Sequence, residues 1–435
     1  MWAFGYFVLL LLAWPWVVLR LHWRARREPA YGQRRAERFG RVPAGIPPGC
    51  IWFHTVSAGE TIAAAPLIGR LAAAHPGLPF LVTTMTPTGS AQVRERLGER
   101  VHHCYAPYDF PWAVRRFYAA VRPRLVVLME TELWPNLIGA AAARGIPVLL
   151  VNARLSERSA RGYARVGGLT RPMLERLAWI ACQYPDHARR FEALGAPPER
   201  VRVHGSVKFD AALPGDHAER VAALRRRWGL GTSPIWIAAS THPGEEQAVL
   251  AAHERIAALV PGTRLILVPR HPPRADEVIA LCAARGLRVG RQSRVEADDA
   301  RAEVVVGDTM GELLYLYGAA DVAFVGGSLV EVGGHNPIEP ALCGVPMVMG
   351  PAVFNFEDVV RSFRDAGALE VVGDPEALAR VVAGWLGDAE RRADAGARAR
   401  AVVAANKGAG ARLEALLDEE IRSAAEVDAA CRRAG

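Results

Sequence analysis

The 435-residue chain reads as an α/β protein, with an N-terminal membrane-anchor helix followed by two doubly wound parallel-sheet domains facing a cleft. Three observations predict this. The length exceeds one ordinary core, so two domains of roughly 150–200 residues are expected. Short apolar runs alternate with alanine- and arginine-rich helical patterns, which implies parallel strands joined by crossover helices. The alternation pauses at the linker AALPGD (Ala211 to Asp216) and then restarts.

The first element is the uncharged run MWAFGYFVLLLLAWPWVVL, Met1 to Leu19. As a helix it extends about 28 Å, close to the thickness of a bilayer core. Trp14, Trp16 and Trp23 supply interfacial aromatics, and Arg20, Arg24, Arg26, Arg27, Arg34 and Arg35 follow at once. The positive-inside rule then places the body in the cytoplasm. A cleaved signal peptide would carry its charges before the apolar run, which this chain does not. Residues 1–23 are therefore expected to be a transmembrane anchor. Residues 24–49 are expected to form a basic, membrane-surface helix (REPAYGQRRAERFGR) and a Pro/Gly linker. The linker predicts a body that folds without the anchor.

Strand candidates in the N-terminal domain, residues 50–210, are CIWFHTV, FLVTT, RLVVLM, PVLLVN, WIACQY and VRVHGS. Helical patterns such as Thr61–Ala74 and Pro135–Arg144 lie between them. In the C-terminal domain, residues 211–435, the strands are IWIAAS, RLILVPR, EVVVGD, DVAFVGG and VPMVMG. The terminal alanine/arginine-rich helices show no site chemistry and are assigned to packing in this domain.

Net charge is +8, and only Lys208 and Lys407 are lysines. A basic balance suits an anionic membrane surface; no arginine run is interleaved with stacking aromatics, which argues against nucleic acid. The cysteines at 50, 104, 182, 282, 343 and 431 are dispersed and read as reduced structural thiols.

Ligands of doubly wound sheets bind outside the carboxyl ends of the strands. The richest such end is DVAFVGGSLVEVGGHNPIE, Asp321 to Glu339. Its glycines Gly326, Gly327, Gly333 and Gly334, with Ser328, suggest a phosphate loop, because glycine lets backbone pass close to a ligand. A helix start at Asn336, Pro337, Ile338 and Glu339 favours an anion and brings Glu339 within reach of a ribose. The spacing is neither a dinucleotide fingerprint nor a P-loop, which argues against an NAD-dependent oxidoreductase. In HTVSAGE, Glu60 first of all fits a capping box with Ser57; the functional alternative is a general base. METELWPN ends a strand in Glu130 and Glu132, which would share one face of an extended chain or serve as acids at the helix start before Pro135. GSVKFD brings Lys208 to a strand end, where a compact cation could offset a leaving phosphate or a sugar carboxylate. VPRHP offers Pro269 and Arg270, and GDTMGE offers Met310, Gly311 and Glu312. His242, His271 and His335 fall on three loops without metal-type spacing, so no metal site is expected. Asp298-Asp299 reads as solvated loop.

These residues sit in motifs that together resemble the 3-deoxy-D-manno-octulosonic acid (Kdo) transferases. The matching pieces are PAYGQRRAERFG, HTVSAGE, TTMTPTG, METELWPN, NARLSERS, GSVKFD, ASTHPGEE, LVPRHP, VVGDTMGEL, FVGGSLVEVGGHNPIEP and GPAVFNFED, in order from about residue 29 to 358. The resemblance implies a GT-B fold with two Rossmann-like domains. It also implies an inverting, metal-independent glycosyltransferase without a cofactor. Such an enzyme uses CMP-Kdo as donor and the lipid A precursor as acceptor at the cytoplasmic face of the inner membrane of a Gram-negative cell. It further implies Glu60 as catalytic base, with Glu130 and Lys208 assisting. CMP would be held by Pro269-Arg270, Met310-Gly311-Glu312 and Asn336-Pro337-Ile338-Glu339. Two alternatives remain open at this stage: a UDP-sugar donor on the same fold, and a non-catalytic nucleotide-binding protein.

Overall fold

The computed structural model of the protein describes residues 2–294 and 301–434, with backbone alone at 3 and 427–434. Asp298-Asp299 and the Cys431 side chain lie outside the described residues. The chain divides into two compact units, Met1–Asp210 with Lys407–Gly435, and Ala211–Asn406.

The first unit holds a seven-stranded sheet: β1 (Ile51–His54), β2 (Phe80–Thr84), β3 (His102–Tyr105), β4 (Leu125–Met129), β5 (Val148–Ala153), β6 (Trp179–Cys182) and β7 (Val201–Val203). The order is β3-β2-β1-β4-β5-β6-β7, and every pairing is parallel. The central strands β1, β4 and β5 are buried throughout, which explains their unbroken apolar runs. Chain direction across the sheet reverses between β1 and β4, the switch point at which open α/β sheets bind ligands.

The second unit carries β8 (Ile235–Thr241), β9 (Arg264–Pro269), β10 (Val289–Arg291), β11 (Val304–Val306), β12 (Val322–Val325), β13 (Met347–Met349) and β14 (Leu369–Val371). Their order is β10-β11-β9-β8-β12-β13-β14, again parallel, with the switch point between β8 and β12. Three strands escaped the sequence pattern: β3 (HHCY), β10 (VGR) and β14 (LEV). All three are sheet edges, where half-buried backbone does not demand a continuous apolar run.

The final helix, Ala409–Ala434, does not belong with residues 211–406 as expected. Its Leu413, Leu417 and Ile421 are buried in the first unit's core with Ile51, Phe53 and Val127. Glu420 accepts from Trp179 Nε1 at 2.7 Å, and Arg70 Nε meets Glu414 at 2.6 Å. Its apolar stripe completes a layer over the first sheet, a placement that helical periodicity alone cannot assign to one sheet or the other.

The N-terminal helix spans Trp2–Arg27, and its segment Phe4–Arg27 is long and apolar enough to cross a membrane. It has two apolar faces. Tyr6, Leu10, Trp14, Val17 and Leu21 are the less exposed side. On that side the Tyr6 hydroxyl donates to Asp109 at 2.9 Å, and Trp14 packs edge-on against Phe39, Phe110 and Trp112. Leu12, Trp16, Leu19 and Trp23 form the other side, half or more exposed. The helix is thus fastened to the body, which the flanking linker did not suggest.

The segment after it is not a membrane-surface helix. It forms two 3-10 turns, Pro29–Gly32 and Arg35–Phe39, packed on the first sheet. Glu37 is buried and accepts from the Tyr105 amide at 2.8 Å, and buried Arg38 donates to the Met85 carbonyl at 2.9 Å while lying 4.1 Å over the Tyr105 ring. Two long charged residues are spent on backbone and ring contacts, so this arginine-rich stretch is partly interior. Cys50, Cys104, Cys182 and Cys282 are buried and free.

Candidate active site

Glu60 and Glu130 follow β1 and β4, the two strands of the first unit's switch point. Ser57 caps the helix Ala58–Ala74, its hydroxyl oxygen accepting from the Glu60 amide at 3.3 Å. The Glu60 carboxylate in turn accepts from the Val56 amide at 2.8 Å and from the Ser57 hydroxyl at 2.8 Å. The capping box is therefore real, with the return bond made one residue earlier than usual. Each Glu60 oxygen receives one bond and keeps acceptor capacity for another. Burial, followed by the nearby Glu130 charge, raises the Glu60 pKa against the lowering effect of these bonds.

Glu130 adopts φ 53°, in the left-handed region. This breaks the extended geometry that would have set Glu130 and Glu132 on one face. Strain of this kind in a non-glycine residue marks positions held by their surroundings, often at functional sites. Glu130 pairs with Lys208 Nζ at 3.1 Å, and Arg154 Nε stands 3.8 Å from its other oxygen. Lys208 lies in the short turn Val207–Asp210, steadied where Asn152 accepts from the Val207 amide at 3.2 Å. Glu132 accepts from Trp134 Nε1 at 2.8 Å, and burial with the neighbouring Glu60 charge lifts it to about 7.

Neither Glu130 nor Glu132 serves the helix Pro135–Ala142. Its first amides, at Asn136 and Leu137, donate to Asp109 at 3.0 and 2.8 Å. Sequence reasoning missed Asp109, which arrives from the β3 side. The acid in PYDF, just before a helix, was the available signal. It also missed Arg154, although NARLSERS was noted as a motif.

In the second unit, Pro269 ends β9 and the Arg270 amide donates to the Thr241 carbonyl at 2.9 Å, leaving the Arg270 side chain exposed. Met310 and Gly311 are exposed, with Gly311 at φ 78°. Glu312 is held by Arg220 at 3.2 Å, by Gln292 at 3.3 Å and by the Thr309 hydroxyl. Asn336 bridges its own turn: its side-chain oxygen accepts from the Ile338 amide at 3.1 Å and its amide donates to Glu339 at 3.2 Å. Pro337 precedes the helix Ile338–Cys343 rather than opening it. Burial raises the Glu339 carboxyl pKa, partly offset by Asn336.

In the glycine loop, expected to hold a phosphate, three of the backbone amides are already bonded within the chain. The amides of Gly327, Ser328 and Leu329 donate to buried Glu245 at 2.7, 3.0 and 2.9 Å. The Ser328 hydroxyl donates to the Val325 carbonyl and accepts from the Gly350 amide. Gly326 is glycine because a Cβ would stand 2.7 Å from the Ser240 carbonyl, and Gly333 because its φ of 101° disfavours any other residue. Gly334 donates to the Gly327 carbonyl at 2.7 Å. The glycines serve close packing within the chain, a use that spacing alone does not separate from ligand binding.

The three loop histidines do come together. His242 and His335 face each other at 2.9 Å between Nε2 atoms with rings 3° from parallel, and His271 stands 6.2 Å from His242 between centroids. Burial drives His335 down to about 4 and lowers His242 as well. Among the described residues no group of three or more His, Cys, Asp or Glu is arranged to hold a metal.

The fold and these strand ends have clear relatives. Residues 292–402 match the glycosyl transferases group 1 family. A crystal structure of Anabaena HepE in complex with UDP has the same fold, at a TM-score of 0.56 over 86% of this chain and 100% of that one, with 14% identity. The fold class is thus GT-B-like. Residues 33–211 match the 3-deoxy-D-manno-octulosonic-acid transferase (kdotransferase) family. The 3-deoxy-D-manno-octulosonic acid transferase of Haemophilus influenzae is 40% identical over 421 residues, covering 96% of this chain and 98% of that protein. That of Bordetella pertussis is 39% identical over 430 residues, covering 94% and 96%. The chain belongs to the 3-deoxy-D-manno-octulosonic acid transferase family and is a glycosyltransferase enzyme.

Proposed function

We propose that the protein transfers Kdo from CMP-Kdo to the lipid A precursor, lipid IVA, in lipopolysaccharide biosynthesis, with inversion at the anomeric carbon. The observation that carries this reading is Glu60. It is a half-buried carboxylate with a raised pKa at the switch point of the first sheet, in a chain of this family. An acceptor hydroxyl must lose its proton as its oxygen bonds to the anomeric carbon and the bond to the CMP phosphate oxygen breaks. Glu60 takes that proton. A base with a raised pKa holds it more firmly than an ordinary surface glutamate would. Lys208, held against Glu130, steadies the carboxylate cluster and offsets negative charge on the donor.

Pro269, Arg270, Met310, Gly311, Glu312, Asn336, Pro337, Ile338 and Glu339 hold CMP, with Arg270 offsetting the phosphate charge and Glu339 accepting from ribose hydroxyls. The reaction needs no cofactor and no metal. The apolar N-terminal helix attaches the enzyme to the cytoplasmic face of the inner membrane. Its outer face of Leu12, Trp16, Leu19 and Trp23, followed by arginines, meets the acyl and anionic head-group regions.

The direct test incubates the purified protein with CMP-Kdo and tetra-acylated lipid IVA and counts added sugars by mass spectrometry. Addition of Kdo, inhibited by CMP and not by UDP, is expected. Transfer from a UDP-sugar instead, or CMP binding without transfer, would overturn the reading.

A further inference from the structure

Glu245 is fully buried, and what satisfies its charge is backbone. One oxygen accepts from the amides of Ser328 and Leu329, at 3.0 and 2.9 Å, and the other from those of Gly327 and His242, at 2.7 and 2.9 Å. Convergent amides of this kind, on a glycine turn with Gly327 at φ 67°, are what a phosphate would otherwise meet. The site is already filled by the chain's own carboxylate. The same carboxylate ties two loops together. One carries His242 and the other His335, whose Nε2 atoms lie 2.9 Å apart. One of the facing nitrogens must donate and the other accept, so the contact survives only while one of them is unprotonated.

We infer that Glu245 is the resident anion of the glycine loop and a positioning residue for donor binding. It fixes the 327–329 backbone and holds His242 against His335. The donor's phosphate is accordingly met by side chains and never by these loop amides. Titratable and charged neighbours of the histidine pair are Glu245, Glu246, His271 and Arg270. Glu246 is spoken for by Arg274 at 2.6 Å and the Thr241 hydroxyl at 3.0 Å. Arg270 and His271 are exposed and left to face a ligand. The inference rests on the proposed CMP-sugar donor for its ligand and on the amide geometry for its mechanism.

The test uses the full-length enzyme with Glu245→Gln and Glu245→Gly. Glutamine turns an NH2 group toward amide donors, and glycine leaves a hole the size of the whole side chain, wide enough to admit a small carboxylate. Calorimetry should show CMP affinity falling about tenfold or more in both, since several charge-assisted bonds are lost. Formate at tens of millimolar should restore most of that affinity in Glu245→Gly and leave wild type unchanged. Hydrogen exchange at the 327–329 amides should rise in Glu245→Gly and fall again with formate. If Glu245→Gly does not fold, Glu245→Gln decides alone. CMP affinity within twofold of wild type in folded Glu245→Gln overturns the positioning role, and so does the absence of any formate effect in folded Glu245→Gly. If wild type itself binds no CMP, the donor reading fails, and the exchange measurement still decides whether Glu245 is the loop's anion.

Discussion

The two switch points of the molecule settle their acids in different ways. At the end of β1 and β4 the chain gathers Glu60, Glu130 and Glu132, with Lys208 and Arg154 both directed at Glu130. At the end of β8 and β12 the acids are answered internally, Glu245 by amides and Glu246 by Arg274, and Arg270 and three histidines remain. One arrangement leaves Glu60 and Glu132 with raised pKa values, which suits taking a proton. The other leaves the Arg270 cation and the histidine donors, with the Glu339 carboxyl following on the next helix, which suits holding an anion beside a ribose. Under the proposed function, two sheets of the same architecture divide the chemistry, because side chains at strand ends are free to vary over a common scaffold.

The contrast breaks most sharply at Glu60. Glu60→Gln keeps the size of the side chain and can still accept from the Val56 amide through its carbonyl oxygen, its NH2 now donating to the Ser57 hydroxyl, but it cannot take a proton, so kcat should fall about 10²-fold or more. CMP affinity should stay near that of wild type. Near-normal turnover would return Glu60 to its helix-capping role and move the search for a base to Glu130 or Glu132.

On the anion-binding side, Glu339→Ala should weaken CMP binding by about 1.5–3 kcal/mol through loss of a charged acceptor. Unchanged calorimetric affinity in a folded variant would show that the ribose is held elsewhere.

Glu132 sharpens the account of the acid cluster through stability. Its folded pKa, about 7, lies above the ordinary 4.5. The stability it contributes is therefore present below the ordinary value and lost as pH rises through about 7. Glu132→Gln should stabilise the protein by about 1–2 kcal/mol at about pH 8 and do little at about pH 4. Urea unfolding at both pH values measures this, and a pH-independent difference would contradict the clustering of charges. The raised Glu60 pKa has a parallel consequence: kcat should fall on acidification at a higher pH than an unperturbed glutamate would give.

The smallest effect is expected at the N-terminal helix. Trp14→Ala removes edge contacts to Phe39, Phe110 and Trp112 and should cost about 1 kcal/mol, read by chemical denaturation in detergent. No change would mean that the helix is tethered by its sequence alone.

Much of this was legible from residue order. Runs such as RLVVLM and IWIAAS must be buried strands, because so many consecutive apolar side chains can be covered only in a sheet clad on both faces. Motifs at their ends then located Glu60, Glu130, Lys208, Arg270 and Glu339, since parallel strands deliver their carboxyl ends to one side of each sheet. What stayed hidden depended on partners distant in sequence. Asp109, not Glu130 or Glu132, supplies the acceptor for the helix Pro135–Ala142. Glu245, some eighty residues upstream, takes the glycine loop's amides for itself. The last helix joins the first sheet and not the second. A sequence determines which groups need partners, because burial and hydrogen-bonding demands belong to residue types. Which partner answers is decided only in three dimensions, where an amide, a cation or a packed ring competes for the same oxygen.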